Sequence, residues 1–173
     1  MLSPNICVVL ITGASQSGIG AQVAVALASA SPELIILAGR NKRKSDLVIL
    51  EIQDIDPTIK VEFVELNLLS NASIHESVAK IKAITKRINV LINNAGVMGT
   101  RTFILSEDGV ESQFASNYLG HFLLTNLLLK EGLVCSGDVV LNVCSLGYQM
   151  DDIHFDDINY KVKSIIYYSQ VLC

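Results

Sequence analysis

The stretch Thr12-Gly13-Ala14-Ser15-Gln16-Ser17-Gly18-Ile19-Gly20 follows an unbroken apolar run, Ile6–Ile11, and precedes a segment rich in alanine and valine. The apolar run reads as a buried strand, and Ala21–Ala30 reads as a helix by its spacing. Glycines between a strand and a helix have distinct uses. Gly13 suits a tight turn, Gly18 lets backbone approach a pyrophosphate, and Gly20 lets the helix pack close. The helix N-terminus then presents free N–H groups and a positive dipole end. The chemistry implied is the holding of dinucleotide phosphates. The bland alternative is a glycine-rich turn that binds nothing.

A second apolar run ends in Leu37-Ala38-Gly39-Arg40. A site selective for NAD puts a carboxylate here to accept from the ribose 2′-hydroxyl. Gly39 leaves room instead, and Arg40 offers a guanidinium that pairs with a 2′-phosphate. Arg43 and the neighbouring lysines add charge. The expected cofactor is NADP(H). The alternative is that Arg40 only begins a solvated basic stretch.

Apolar strands alternate with helical stretches along the whole chain. Strands are expected at Glu33–Ala38, Val61–Leu66, Asn89–Ile92 and Asp138–Val143. Helices are expected at Ser45–Asp54, Ala72–Arg87 and Glu107–Leu129, the last with Ser106 as its N-cap. Such alternation predicts an α/β fold, a Rossmann-type doubly wound parallel sheet of about five strands with right-handed crossovers. Residues 147 to 163 read as a long polar loop. The 173 residues form a single dinucleotide-binding domain with no internal boundary.

Half the residues are hydrophobic and mean hydropathy is +0.45. That suits strands buried on both faces. No apolar run approaches the ~18 residues of a membrane span. A net charge of −4 argues against nucleic acid as the partner. No basic leader precedes the first strand, so a cytoplasmic location is expected. Cys7, Cys135, Cys144 and Cys173 lack metal or disulfide spacing and read as reduced thiols.

Asn93-Asn94-Ala95-Gly96, taken with the Thr-Gly loop, resembles the short-chain dehydrogenase/reductase superfamily. The passage Asn117-Tyr118-Leu119-Gly120-His121-Phe122-Leu123-Leu124-Thr125 and the later His154-Phe155-Asp156-Asp157 are similar to the retinol-dehydrogenase and WW-domain-oxidoreductase branch. The resemblance implies an NADP-dependent oxidoreductase that moves a hydride between nicotinamide and a small-molecule carbonyl or secondary alcohol. It implies catalytic roles for three residues. Asn117 holds a water in a proton relay, Ser145 hydrogen-bonds the substrate oxygen, and Tyr168 is the general acid/base. It also implies cofactor contacts from Gly13, Ser15, Gly18, Ile19, Gly20, Arg40, Asn67, Asn94, Ala95 and Gly96. No metal is implied. The resemblance implies a homodimer that pairs through the helix of Asn117 and the helix of Tyr168, the second of which is incomplete here. His121 reads as a packing or capping histidine rather than a base.

The chain departs from the family pattern in three places. The loop has one residue more than usual between Gly13 and Gly18. Asn67 stands where the family has an aspartate near the adenine. The residue four after Tyr168, a lysine in the family, is Leu172, and the sequence ends at Cys173. This last departure predicts a C-terminally truncated enzyme of reduced competence. The alternatives are an NADP-binding pseudoenzyme and a nonfunctional fragment.

Overall fold

The computed structural model describes residues 7–99, 102–149 and 153–159. Five strands form one sheet: β1 (Val8–Thr12), β2 (Leu34–Gly39), β3 (Lys60–Glu65), β4 (Val90–Asn93) and β5 (Val139–Asn142). Their order is β3-β2-β1-β4-β5 and every pairing is parallel. This is the doubly wound arrangement, in which the chain leaves β1 in one direction and later returns to its other side. Helices α1 (Ile19–Ala28), α2 (Asp46–Ile55) and α3 (Asn71–Ile84) follow β1, β2 and β3 in turn. The region between β4 and β5 holds a short helix α4 (Ser112–Phe114), a π-helical turn over Ala115–Leu119, and α5 (Gly120–Lys130).

Alternate side chains of the central strands pack under helices on the two faces of the sheet. Val8, Leu10, Ile36 and Leu91 pack with Ile74, Val78 and Ile81 of α3 and Leu124 and Leu128 of α5. Val9, Ile11, Ile35, Leu37 and Ile92 pack on the opposite face with Ala21, Ala24 and Ala28 of α1 and Val48 and Ile52 of α2. The small side chains of α1 bring its axis close to the sheet. Each Leu or Ile buried fully in this way is worth about 1.5–3 kcal/mol against exposure.

Observed strand boundaries fall within a residue or two of those expected. The stretch before β5 does not follow expectation. No helix begins at Glu107. The Ser106 hydroxyl accepts from the Val110 amide and closes a turn through Gly109, whose φ is +78°. The helical region starts five residues later, because the buried Glu111 carboxylate accepts from the amides of Gln113 and Phe114. Asp108-Gly109 is a turn signal, and it outweighed the serine cap.

β5 is unlike the other strands. Val139, Val140 and Leu141 are 49%, 38% and 46% exposed, so apolar side chains on both its faces lie open among the described residues. Its start is clasped by Asp138. That carboxylate accepts from the Arg87 guanidinium at 2.9 Å, from the Cys135 amide at 2.8 Å and from the Asn89 side chain at 3.4 Å. Burial works to raise its pKa, but the donors from Arg87, Cys135 and Asn89 outweigh it and hold the carboxyl below the ordinary range. A depressed folded pKa gives stability that is present above the unfolded value of about 3.9 and is lost as pH falls through the folded one. Asp138→Asn is expected to cost about 1–2 kcal/mol at pH 7. The cost should shrink below pH 4, as read by urea unfolding at both pH values.

Candidate functional site

The C-terminal ends of β1, β2, β3 and β4 open into a cleft of about 720 Å³. β1 delivers the glycine loop to its floor. Gly13 takes φ +72°, and a Cβ there would lie 2.7 Å from Ala95 Cα, so the loops after β1 and β4 touch at this glycine. The loop's extra residue is absorbed in a turn that the Gly18 amide closes onto the Ser15 carbonyl at 2.9 Å. Ser17 occupies its left-handed position with φ +65°. Helix α1 then opens at Gly18, and no side chain caps it. The Ala21 amide already donates to the Gly18 carbonyl at 3.2 Å, which leaves the amides of Ile19 and Gly20 at the open end of the helix.

The structure brings nine of the ten expected cofactor residues to this cleft. Gly13, Ser15, Gly18 and Ile19 come from the glycine loop, Arg40 from the end of β2, Asn67 from the end of β3, and Asn94, Ala95 and Gly96 from the end of β4. Gly20 is the exception. It is buried beneath the lining, and a Cβ on it would meet Asn94 Nδ2 at 2.4 Å and the Gly13 carbonyl at 3.0 Å. Its glycine is needed for packing against the β4 loop. Lys44, one of the lysines expected to add charge beside Arg40, lines the cleft, and Asn41, Val97 and Ser116 line it without a sequence signal. Lys44 follows Arg40 through a 3-10 turn whose Asn41 side chain accepts from the Arg43 amide. The composition of the basic stretch was the available signal.

Ala95 lines this cleft and also a second cavity of about 380 Å³ between α5 and β5. Asn117, His121 and Cys144 line the second cavity. Asn117 sits in the π-helical turn, a widening that recurs at functional sites. Its side chain is locked to the β4 loop: Oδ1 accepts from the Val97 amide and Nδ2 donates to the Val97 carbonyl, both at 2.9 Å. Ser145 is exposed just beyond β5, next to Cys144. Tyr168, its neighbour Tyr167, and Leu172 lie outside the described residues.

Thr12 is the buried junction of the site. Its hydroxyl accepts from the amides of Asn94 and Ala95 at 2.9 Å each and meets His121 Nε2 at 2.8 Å. His121 Nδ1 faces the Asn117 carbonyl at 3.2 Å. Burial holds the imidazole pKa below its ordinary value, against a weaker upward pull from the Asn117 carbonyl. The histidine does pack and hydrogen-bond, but inside the site.

The Asn94 amide group donates to the carbonyls of Thr12 and Gly13 at 2.9 and 3.3 Å. Asn94→Asp would aim a carboxylate at two carbonyl oxygens. The expected cost is about 1–3 kcal/mol of stability, measured by urea unfolding near neutral pH. Protonation should restore part of it in acid.

A family model for short chain dehydrogenases matches residues 7–156. Human retinol dehydrogenase 13 is 41% identical over 155 residues, which cover 90% of this chain and 46% of the relative. The mouse protein of the same name is 38% identical over 157 residues. The chain spans about half the length of the curated relatives it matches. Among solved structures, a short-chain dehydrogenase from Sphingobium yanoikuyae in complex with NADPH superposes with a TM-score of 0.65 at 25% identity, over 84% of this chain and 56% of the other. An oxidoreductase from Haemophilus influenza with bound NAD superposes with a TM-score of 0.68 at 25% identity, over 86% of this chain and 57% of the other. The fold, the order of the motifs and these likenesses agree, and the chain belongs to the short-chain dehydrogenase family.

Proposed function

We propose that this chain is an NADP(H)-dependent oxidoreductase acting on a small carbonyl compound or secondary alcohol. The observation that carries the cofactor preference is the pairing of Arg40 and Lys44 along the cleft wall at Gly39, where an added Cβ would meet nothing within 4 Å. A carboxylate, the group that selects for a free ribose hydroxyl, is replaced there by open space and two cations. The uncapped start of α1 and the 720 Å³ cleft suit the rest of a dinucleotide.

Each residue then has a job. The loop from Gly13 to Gly18 brings the pyrophosphate to the opening turn of α1, whose Ile19 and Gly20 amides face it, with Ser15 at its side. Arg40 and Lys44 hold the 2′-phosphate. Asn67 borders the adenine, with an amide that donates and accepts. Asn94, Ala95 and Gly96 run along the ribose. When bound, the nicotinamide supplies or accepts the hydride. Ser145 hydrogen-bonds the substrate oxygen, Tyr168 exchanges a proton with it, and Asn117 orders the path by which that proton reaches solvent. An unassisted phenol has a pKa near ~10. With Leu172 in place of a cation four residues on, Tyr168 serves better as an acid than as a base, which favours reduction.

Thermal unfolding with NADPH and with NADH tests the cofactor half. NADPH should raise Tm more than NADH does, and Arg40→Ala should weaken NADPH binding by about 10- to 100-fold while leaving NADH nearly unchanged. Equal shifts from the two cofactors would remove the NADP preference. Ketone reduction tests the catalytic half. Leu172→Lys is expected to raise turnover at least tenfold over the natural chain, and no gain would separate Tyr168 from the role given to it.

A further inference from the structure

We propose that His121 is a positioning residue for the dinucleotide cleft: its imidazole, held as the Nδ1–H tautomer, orients the Thr12 hydroxyl so that this hydroxyl receives the amides of Asn94 and Ala95. The inference rests on the reading of that cleft as the NADP(H) site.

The tautomer follows from counting donors and acceptors. A threonine hydroxyl has two lone pairs and one proton. Both lone pairs of Thr12 are taken by the Asn94 and Ala95 amides. Its proton therefore points at the remaining partner, His121 Nε2, 2.8 Å away. Nε2 must accept, so it is unprotonated. The other ring nitrogen faces a carbonyl, Asn117 O, which only accepts, so Nδ1 carries the hydrogen. Every group in this chain has one consistent role, and a neutral imidazole fills both of its own.

The Thr12–His121 contact at the centre of the arrangement is buried. Thr12 is fully buried and His121 is 6% exposed, so water does not readily substitute for either partner. Without an acceptor at Nε2, the Thr12 proton has to turn toward one of the two amides it now receives. One of those amides would then be displaced, and Asn94 and Ala95 both line the cleft. The histidine's side-chain hydrogen bonds go to Thr12 and the Asn117 carbonyl rather than to the cleft lining. It acts through Thr12, across 109 residues of sequence. Its other end holds the carbonyl of Asn117, so the same ring spans from the cofactor loop to the expected catalytic helix.

Two variants separate this role from simple packing. His121→Gln keeps an acceptor three bonds beyond Cβ, where Nε2 now stands. His121→Asn keeps a polar group but is too short to reach Thr12. NADPH affinity measured by titration well below Tm should fall about tenfold in His121→Asn, the worth of one buried hydrogen bond, and stay within about threefold in His121→Gln. A merely structural histidine would lower Tm in both and leave both affinities alike, which overturns the proposal. Imidazole ¹⁵N shifts of the cofactor-free natural chain give a readout that needs no ligand. They should report an Nδ1–H ring at pH 7, and an Nε2–H ring or an imidazolium overturns the assignment. If the natural chain binds no NADPH, the functional reading falls and the cofactor role of His121 falls with it. The nitrogen shifts tell that failure apart from a wrong tautomer.

Discussion

The Thr12 hydroxyl stands at the end of the central strand with no exposure, holding two amides of the β4 loop and facing one imidazole. The site is assembled around this one atom. β1 and β4 are neighbours in the sheet, and their strand pairing runs as far as Ile11 and Ile92. The hydroxyl continues the pairing where the backbone ladder ends. It fixes how far Asn94–Gly96 stand from the glycine loop, while Gly13 and Gly20 let the two loops approach without a clash.

The second support is the placement of α5. The π-helical turn moves Asn117 so that its side chain closes a two-way pair with Val97, while the next turn points His121 at Thr12. The continuous helical stretch therefore holds the β4 loop directly through Asn117 and indirectly through His121 and Thr12. Both links use neutral hydrogen bonds, the Asn117 pair half-buried and the His121 contact buried, where leaving one partner unpaired costs more than the bond itself contributes.

Much of this was readable from the sequence because parallel strands covered on both faces give unbroken apolar runs. Ile35–Leu37 and Leu10–Ile11 are such runs, and they pair as expected. The glycine loop was readable because its meaning depends on local context. The helix after β4 was misjudged at its start. A buried carboxylate cap at Glu111 is a tertiary feature, and the Asp108-Gly109 turn before it was passed over. The π-helical turn left no periodic signal over five residues. The pairing of Thr12 with His121 was out of reach, since neither residue type at its own position implies the other. Ser17 shows a loop of unusual length keeping its ends in place, with the cost confined to one left-handed residue.

Among the described residues the faces of β5 are open, which implies that the sheet does not open as one unit. Strands β1, β2 and β4 lie under helices, while β5 contributes backbone pairing and little buried side-chain surface. Amide protons on β5 therefore belong to a subglobal opening of lower free energy than those on β1. Ser145 hangs from that loosest strand, whereas the glycine loop hangs from the tightest. Among the described residues, the glycine loop and the strand end that carries Ser145 thus sit at opposite ends of one gradient of burial.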